Sequence, residues 1–294
     1  MGMNKKSPAS EHMPPKVKNI LGLVASPRQF GNCELFTKEI SRHIDGEHSL
    51  KLIRLSALNI KPCRGCYACI VDKPCPNEDD MNFLLHETAA ADAIIIASPV
   101  YYLGANSVIK KILDRGFLFF TVLRQTYGKP CILLNFYGIK DRIGVAPQML
   151  ETVAVMLGLD IKASLNIQAA LPGEAVMNSV NINKAKRLAR MLFSSKTVKN
   201  KRGCPFCGCE IIRIVKGAFI CTLCHGTFRT DTKGAFVKIK EGGVLGPLEH
   251  LLRHKTWLGN MKNKFLAKRK EIMRTIVRYK DMGQWIEPIH KSKE

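Results

Sequence analysis

Five short apolar segments, each followed by a helical pattern, run through the first two thirds of the chain and constrain its fold more than any other feature. The segments are 19–25, 50–55, 93–97, 131–136 and 161–167, and the helical patterns end near residues 44, 91, 115, 157 and 193. Runs this short and this apolar are typical of strands buried on both faces. The alternation predicts an α/β fold with a doubly wound, five-stranded parallel sheet in the order 2-1-3-4-5.

Length and composition indicate how the chain divides into domains. A chain of 294 residues, 46% of them hydrophobic, can bury one large core and carry a small appendage. We expect a disordered tail at 1–17, the α/β domain at 18–196, a small cysteine-rich domain at 200–240 and a basic helical extension at 245–294.

The chain carries no recognisable export signal and many cysteines. Its first residues lack the apolar stretch of a signal peptide, and no run reaches the roughly eighteen apolar residues that cross a bilayer. Eleven cysteines then indicate a reducing, cytoplasmic location, where paired cysteines bind metals or take part in redox chemistry.

Four cysteines in thirteen residues form the most distinctive motif of the predicted α/β domain: Cys63, Cys66, Cys69 and Cys75, spaced C-x2-C-x2-C-x5-C. Soft thiolates select iron–sulfur clusters, zinc or copper(I), and C-x2-C-x2-C is similar to the run that holds four-iron clusters in bacterial ferredoxins. A zinc knuckle usually draws two ligands from each of two separated turns, and a thiol-rich loop without metal is the other alternative. We favour a [4Fe-4S] cluster.

An anion-binding loop follows the first predicted strand. Residues 26–33, SPRQFGNC, lead into a helix N-terminus, where free backbone N–H groups and the helix dipole favour a phosphate. Ser26 adds a hydroxyl, Arg28 a charge-assisted donor, and Gly31 lets the backbone approach closely. The loop matches neither the GxGxxG fingerprint nor a Walker A sequence, so an ordinary strand-to-helix turn is the alternative.

Two tyrosines lie in the segment 98–104, after the third predicted strand. Ligands of open α/β sheets bind outside the carboxyl ends of the strands, so Tyr101 and Tyr102 are placed where a planar ligand would stack. Packing at the rim of the sheet is the alternative role for these rings. Tyr137 and Gly138 stand in the corresponding position after the fourth predicted strand.

A second cysteine set predicts a metal ribbon. Cys204 and Cys207 form one C-x2-C pair, and Cys221 and Cys224 form another after thirteen residues. Two knuckles joined by a hairpin, which 213–220 suggests, can close a tetrahedral site, with Cys209 and His225 as spare or alternate ligands. A ribbon this short has too little core to fold without metal. Zinc is the default, and iron in a rubredoxin-like site is the alternative, because spacing alone does not choose the metal.

Positive charge is concentrated in the last third of the chain. Residues 181–294 hold 26 Lys and Arg against 8 Asp and Glu, a net charge of +18 out of +22 for the whole chain. Such asymmetry suggests an acidic partner, a nucleic acid or an anionic membrane surface for that third alone.

Two helices are predicted in the basic extension, at 247–255 and 260–281, after a glycine-rich joint at 242–246. The second has an apolar stripe, formed by Met261, Phe265, Ile272 and Ile276. A basic amphipathic helix can lie on an anionic membrane, but any surface helix shows amphipathicity. We favour packing of the stripe on the main domain or on a second subunit, over contact with a membrane or nucleic acid.

Three stretches carry a family resemblance: 26–36, SPRQFGNCELF; the cysteine array at 63–81; and 98–115, SPVYYLGANSVIKKILDR. In order and spacing they resemble the iron–sulfur flavoproteins within the flavodoxin-like, NADPH-dependent FMN reductase superfamily. The resemblance covers roughly residues 18–195. The four-cysteine array is its specific part, since the two loops are shared by the whole superfamily.

The resemblance implies two cofactors in a flavodoxin-like domain. It implies FMN, with its phosphate held by Ser26, Arg28, Gly31, Asn32 and the backbone N–H of Cys33. The isoalloxazine would lie against Pro99, Val100, Tyr101, Tyr102, Tyr137 and Gly138. A four-iron cluster would be bound by Cys63, Cys66, Cys69 and Cys75. It also implies a homo-oligomer, a dimer or tetramer, in which flavin and cluster can come from different subunits.

Two functional classes follow. The first is a flavin-dependent oxidoreductase or electron-transfer protein with NAD(P)H, ferredoxin or a small oxidant as partner, because a flavin exchanges electron pairs with hydride donors whereas a cluster moves single electrons. The second is a redox-responsive scaffold or regulator whose ribbon and basic tail bind nucleic acid or a protein. No Ser-His-Asp set or carboxylate pair indicates hydrolysis. We favour the first class.

Overall fold

The computed structural model describes residues 17–195, 203–243, 248–279 and 282. The predicted tail at 1–17, apart from its last residue, therefore lies outside the described residues, as do 244–246 of the predicted glycine-rich joint. Five parallel strands form the main sheet: β1 (Lys18–Val24), β2 (His48–Arg54), β3 (Ala93–Tyr101), β5 (Pro130–Tyr137) and β6 (Asp160–Gln168), with a short β4 (Gly104–Ala105) in antiparallel pairing on β3. The order is β2-β1-β3-β5-β6. Counted among the parallel strands alone, this is the predicted order 2-1-3-4-5.

Helices cover both faces of this sheet. They are α1 (Asn32–Arg42), α2 (Met81–Ala90), α3 (Ser107–Asp114), α4 (Leu123–Thr126), α5 (Ala146–Met156) and α6 (Ser179–Leu192). Successive residues of a strand enter different cores: Leu21 and Leu23 pack with α2, α3 and α5, whereas Ile20 and Val24 pack with α1 and α6. Burial on both faces explains why the strands read as continuous apolar runs.

The cysteine-rich domain is a four-stranded antiparallel sheet. Its strands are β7 (Ile212–Val215), β8 (Ala218–Cys221), β9 (Thr227–Thr230) and β10 (Phe236–Lys240), in the order β10-β9-β8-β7. The β7–β8 pair is the hairpin expected at 213–220. Val155 of α5 packs against the core of this ribbon, so the ribbon rests on the α/β domain.

The basic extension forms one helix, α7 (Leu248–Val277), 30 residues long. The prediction of two helices is wrong: Gly259 does not interrupt α7, because a glycine within a helix costs only about 1 kcal/mol. Leu251 and Leu258 are buried, and α7 lies against the cysteine loop, with Lys255 paired to Asp72.

Three of the four side chains of the predicted apolar stripe are exposed, and the fourth, Ile272, is half-buried. Met261, Phe265 and Ile276 are 37%, 50% and 49% exposed. Packing of these side chains on the main domain is therefore wrong, and their packing on a second subunit stays a prediction. None of the helices in the described parts of the chain is both long and apolar enough to cross a bilayer.

Candidate cofactor and metal sites

The loop between β1 and α1 leaves the N-terminus of the helix open to an anion. Gly31 precedes α1, and among the described residues no side chain caps this helix. A Cβ at Gly31 would lie 3.2 Å from the Cβ of Arg28 and 3.5 Å from Ser26 Oγ, so a larger residue would crowd the loop. Ser26 is buried and its hydroxyl accepts the backbone N–H of Arg28 at 3.3 Å, while the Arg28 side chain is exposed beside the loop. The loop can thus present backbone N–H groups, a hydroxyl and a cation to one phosphate.

Arg54, at the end of β2, holds this loop in shape. Its guanidinium donates to the carbonyls of Ser26 at 3.0 Å and Arg28 at 2.7 Å, and to the Glu34 carboxylate at 2.6 Å. Burial would raise the pKa of Glu34, but the hydrogen bonds from Lys38 and Arg54 lower it to about 2. Sequence analysis missed Arg54, because only the pairing of β2 with β1 brings it to the loop.

Two of the predicted phosphate-loop residues turn their side chains elsewhere. The Asn32 amide donates to the carbonyls of Ala169 at 3.1 Å and Leu171 at 3.0 Å, and its oxygen accepts the N–H of Ala175 at 3.1 Å. The Cys33 thiol is buried in the core, and burial raises its pKa to about 12. Both residues can therefore serve an anion only through their backbone N–H groups.

The tyrosines predicted in a loop lie on a hairpin. β3 continues through Tyr101 and turns back into β4, with Tyr102 and Leu103 at φ of +46° and +65°. Positive φ strains a residue with a side chain. The N–H of Val145 donates to the Leu103 carbonyl at 2.7 Å and holds the turn. Gly144 allows this close approach, because a Cβ there would lie 2.1 Å from the same oxygen. Tyr102 is fully exposed, so its ring is free to cover a ligand.

Three strand ends bring the predicted flavin residues to one edge. β1, β3 and β5 are neighbours at the centre of the sheet, and their carboxyl ends lead to 26–33, 99–103 and 137–138. Pro99 and Val100 are half-buried, and Tyr137 borders the exposed Gly138. The chain reverses its direction of winding between β1 and β3, which is where open α/β sheets bind ligands. A flat ligand with a phosphate end fits this edge.

The four cysteines of the first array line one pocket. Cys63 and Cys66 are exposed, and Cys69 and Cys75 are partly buried. Burial raises the pKa of Cys69, and the charges of the three neighbouring thiols raise it further. The other walls are Arg64, Gly65, Tyr67, Ala68, Pro76, Asn77, Arg115, Phe117 and Leu118.

A buried arginine lies behind this pocket. Arg115, 3% exposed, follows α3 and donates to Cys75 Sγ at 3.3 Å, to the Lys61 carbonyl at 2.9 Å and to the Asp79 carboxylate. Burial would lower the pKa of Arg115, but Asp79 and Cys75 raise it above its usual value. Asn77 donates to the Pro62 carbonyl at 2.9 Å, so both ends of the cysteine loop are tied together.

The ribbon thiols converge far more tightly. The Sγ atoms of Cys204, Cys207, Cys221 and Cys224 all lie within 4.8 Å of one another, and they are the only group of three or more metal-ligating side chains in the described ranges that does so. Tetrahedral ligands at a Zn–S distance of about 2.3 Å lie roughly 3.8 Å apart, so this set fits a single ion. The thiols of the first array do not form such a compact set.

Backbone N–H groups already point at these sulfurs. The N–H groups of Leu223 and Cys224 donate to Cys221 Sγ at 3.4 Å, and that of Gly226 donates to Cys224 Sγ at 3.3 Å. The neighbouring Cys207 thiol, the other thiols and this backbone N–H lower the pKa of Cys224 despite its burial. Cys209 is buried beside Thr222, and His225 is exposed, so neither belongs to the four-thiol set.

Glu151 lies where α5 meets the ribbon, and a pH effect is expected from it. Burial and the charge of Glu210 raise its pKa from 4.5 to about 7, although Ser164 and Cys209 hydrogen-bond to it. Because the folded state holds this proton more tightly, the stabilisation is complete below pH 4.5 and is lost as pH rises to about 7. In wild type the free energy of unfolding should fall by about 3 kcal/mol over this pH range. Chemical denaturation at several pH values measures it, and Glu151→Gln should show little of this fall. The exposed Glu47→Gln is the control, and identical pH profiles for Glu151→Gln and wild type would contradict the assignment.

Comparison with known proteins finds similarity over the α/β domain. Residues 18–171 match the family model described as NADPH-dependent FMN reductase. An iron–sulfur flavoprotein of Methanocaldococcus jannaschii is 35% identical over 98 residues, which are 33% of this chain and 51% of that protein. An iron–sulfur flavoprotein of Methanosarcina thermophila is 33% identical over 130 residues, 43% of this chain and 60% of that protein. The chain thus spans about half the length of the curated relatives it matches.

Among solved structures, a flavone reductase superposes with a TM-score of 0.65 and 16% identity, covering 92% of this chain and 100% of the other. At this identity the likeness shows the fold alone. It extends over more of the chain than the family model does.

Proposed function

The chain belongs to the NADPH-dependent FMN reductase family, and from that premise we propose that it is a flavin-dependent oxidoreductase that also carries an iron–sulfur cluster. In this proposal FMN exchanges electron pairs with a nicotinamide donor, and the cluster passes single electrons onward. Two observations carry the proposal: an uncapped helix N-terminus and three strand-end loops meet at one edge of the sheet, and four thiols line one pocket.

The edge of the sheet fits FMN in both of its chemical parts. The phosphate would lie at the N-terminus of α1, bound by backbone N–H groups, the Ser26 hydroxyl and the Arg28 side chain. The ring system would lie on Pro99 and Val100, with Tyr101 and Tyr102 over it and Tyr137 and Gly138 at its border. The strained hairpin at Tyr102 supports this role, since strain of this kind persists where function requires it.

The cysteine pocket fits a four-iron cluster better than a single ion. Its thiols surround a space instead of converging within 4.8 Å as the ribbon thiols do. Similarity to proteins named iron–sulfur flavoproteins supports the same choice. Cys63, Cys66, Cys69 and Cys75 would be the ligands, and Tyr67 and Phe117, with ring centroids 5.6 Å apart, would shield one side.

The ribbon fits one tetrahedral metal ion in a structural role. Four thiolates close the coordination sphere and leave no open position for a substrate. We propose zinc, held by Cys204, Cys207, Cys221 and Cys224. We further propose NAD(P)H as donor and a homo-oligomer as the working form, with the exposed apolar face of α7 available to a second subunit.

Cofactor content tests the proposal directly. Protein purified without oxygen should contain about four iron and four acid-labile sulfide, with one FMN and one zinc per chain. NADPH should then bleach the flavin absorbance, and the cluster signal should follow. If the protein contains FMN and zinc but no sulfide, it is a flavin reductase without a cluster. Absence of FMN would overturn the proposal.

Arg54→Gln should weaken FMN binding without removing the cluster. The change takes away charge-assisted hydrogen bonds that shape the phosphate loop, each worth about 1.5–3 kcal/mol, so the Kd for FMN should rise at least about tenfold. Fluorescence titration of FMN into flavin-free protein measures it. Lys51→Gln, on the same strand but paired with Glu87, is the control. A Kd for Arg54→Gln within twofold of wild type would count against the phosphate site.

A further inference from the structure

Arg115 is the one fully buried cation found at the cysteine pocket within the described residues. Its side chain is 2% exposed and that of its partner Asp79 is 1% exposed. Arginine remains protonated in proteins, and its planar fork fixes the direction of each N–H. One of these N–H groups donates to Cys75 Sγ at 3.3 Å. Of the four thiols, Cys75 thus receives a charge-assisted hydrogen bond from a side chain that cannot swing away.

Packing and hydrogen bonds hold Arg115 in this position. It terminates α3, and its N–H groups also bind the Lys61 carbonyl and the Asp79 carboxylate. Asp79 in turn accepts the N–H of Lys61 at 2.9 Å and the N–H of Met81 at 3.2 Å. The cation therefore belongs to a closed network that a change of redox state at the pocket cannot easily rearrange.

A fixed cation at a ligand sulfur bears on electron uptake. Each electron that a cluster accepts adds one negative charge, and hydrogen bonds to the sulfurs and net local charge set the potential at which this happens. A buried charge acts in a low dielectric and is poorly screened. Arg64 lines the same pocket but is exposed, so solvent screens its charge.

We propose that Arg115 is a positioning residue that raises the reduction potential of the cluster through its hydrogen bond to Cys75, with Asp79 opposing it as counter-charge. This inference deepens the proposed function and rests on it. Its specific consequence is that the two members of one ion pair shift the potential in opposite directions. Arg115→Gln removes the cation and makes the potential more negative, whereas Asp79→Asn leaves the cation unneutralised and makes it more positive.

The experiment is a dye-mediated, EPR-monitored redox titration of intact anaerobic protein, with dithionite as reductant. Wild type, Arg115→Gln, Asp79→Asn and the control Arg64→Gln are compared, after iron, sulfide and FMN content confirm that each is folded and loaded. We expect opposite shifts for the two ion-pair variants and a potential close to wild type for Arg64→Gln.

Three results would overturn the inference: unshifted potentials in both ion-pair variants, shifts of the same sign, or an equal shift in Arg64→Gln. If Arg115→Gln fails to retain a cluster, Asp79→Asn alone tests the inference. Its reduction potential must then be more positive than that of wild type. A wild-type protein with FMN but no cluster would overturn the cluster part of the proposed function together with this inference. A loaded wild type with unshifted variants would overturn this inference alone.

Discussion

Cys66→Ser is expected to remove most of the iron and sulfide from the protein while FMN stays bound. Cys66 is one of four thiols around the pocket, and its hydroxyl replacement is a far weaker ligand for iron. The phosphate loop follows β1 and the cysteine loop follows β2, so the two sites are built on different strand ends. Iron and sulfide should fall several-fold from about four per chain, measured against flavin content.

Arg64→Gln is the matched control for this change, because it alters an exposed neighbour in the same loop without removing a thiol. It should keep both cofactors. Loss of FMN together with iron in Cys66→Ser would show that the two sites do not form independently. Full retention of iron would show that the first array does not hold the cluster.

Cys204→Ser is expected to unfold the ribbon and leave the α/β domain intact. The buried core of the ribbon consists of Cys204, Cys209, Cys221, Leu223, Cys224 and Phe228, so half of it belongs to the four-thiol set proposed to bind metal. Binding of structural zinc supplies on the order of 10 kcal/mol of folding free energy in small domains. Without the ion, one leucine and one phenylalanine cannot offset the entropy of ordering the ribbon.

Hydrogen exchange followed by mass spectrometry measures this effect. Protection should disappear across residues 203–243 in Cys204→Ser and remain in the central sheet. Cys209→Ser, which alters a buried thiol of the same ribbon outside the four-thiol set, should retain the metal and most protection. A protected ribbon in metal-free Cys204→Ser would contradict the structural role, and iron in place of zinc in elemental analysis would make it a redox centre.

Much of the α/β domain could be predicted because its signals are local. The strands at 19–25 and 131–136 lie within a residue or two of β1 and β5. The central parallel strands are almost wholly apolar, since both of their faces are covered. The hairpin at 102–103 was missed because two non-glycine residues at positive φ give no turn signal. The division of the extension into two helices was wrong because glycine and asparagine at 259–260 weaken a helix without ending it.

Much of the available chemistry can be read from the sequence: the alternation of strands and helices, the four-thiol array at 63–75, the ribbon thiols at 204–224 and the predicted phosphate loop at 26–33. These features are set by spacing along the chain, which local geometry converts directly into turns, knuckles and helix ends. Two contacts follow from tertiary packing alone: Arg54 shapes the predicted phosphate loop, and Arg115 faces Cys75, 40 residues away in the sequence. A lone arginine carries no periodicity or spacing signal, so its role exists only after the packing of distant elements has chosen its neighbours.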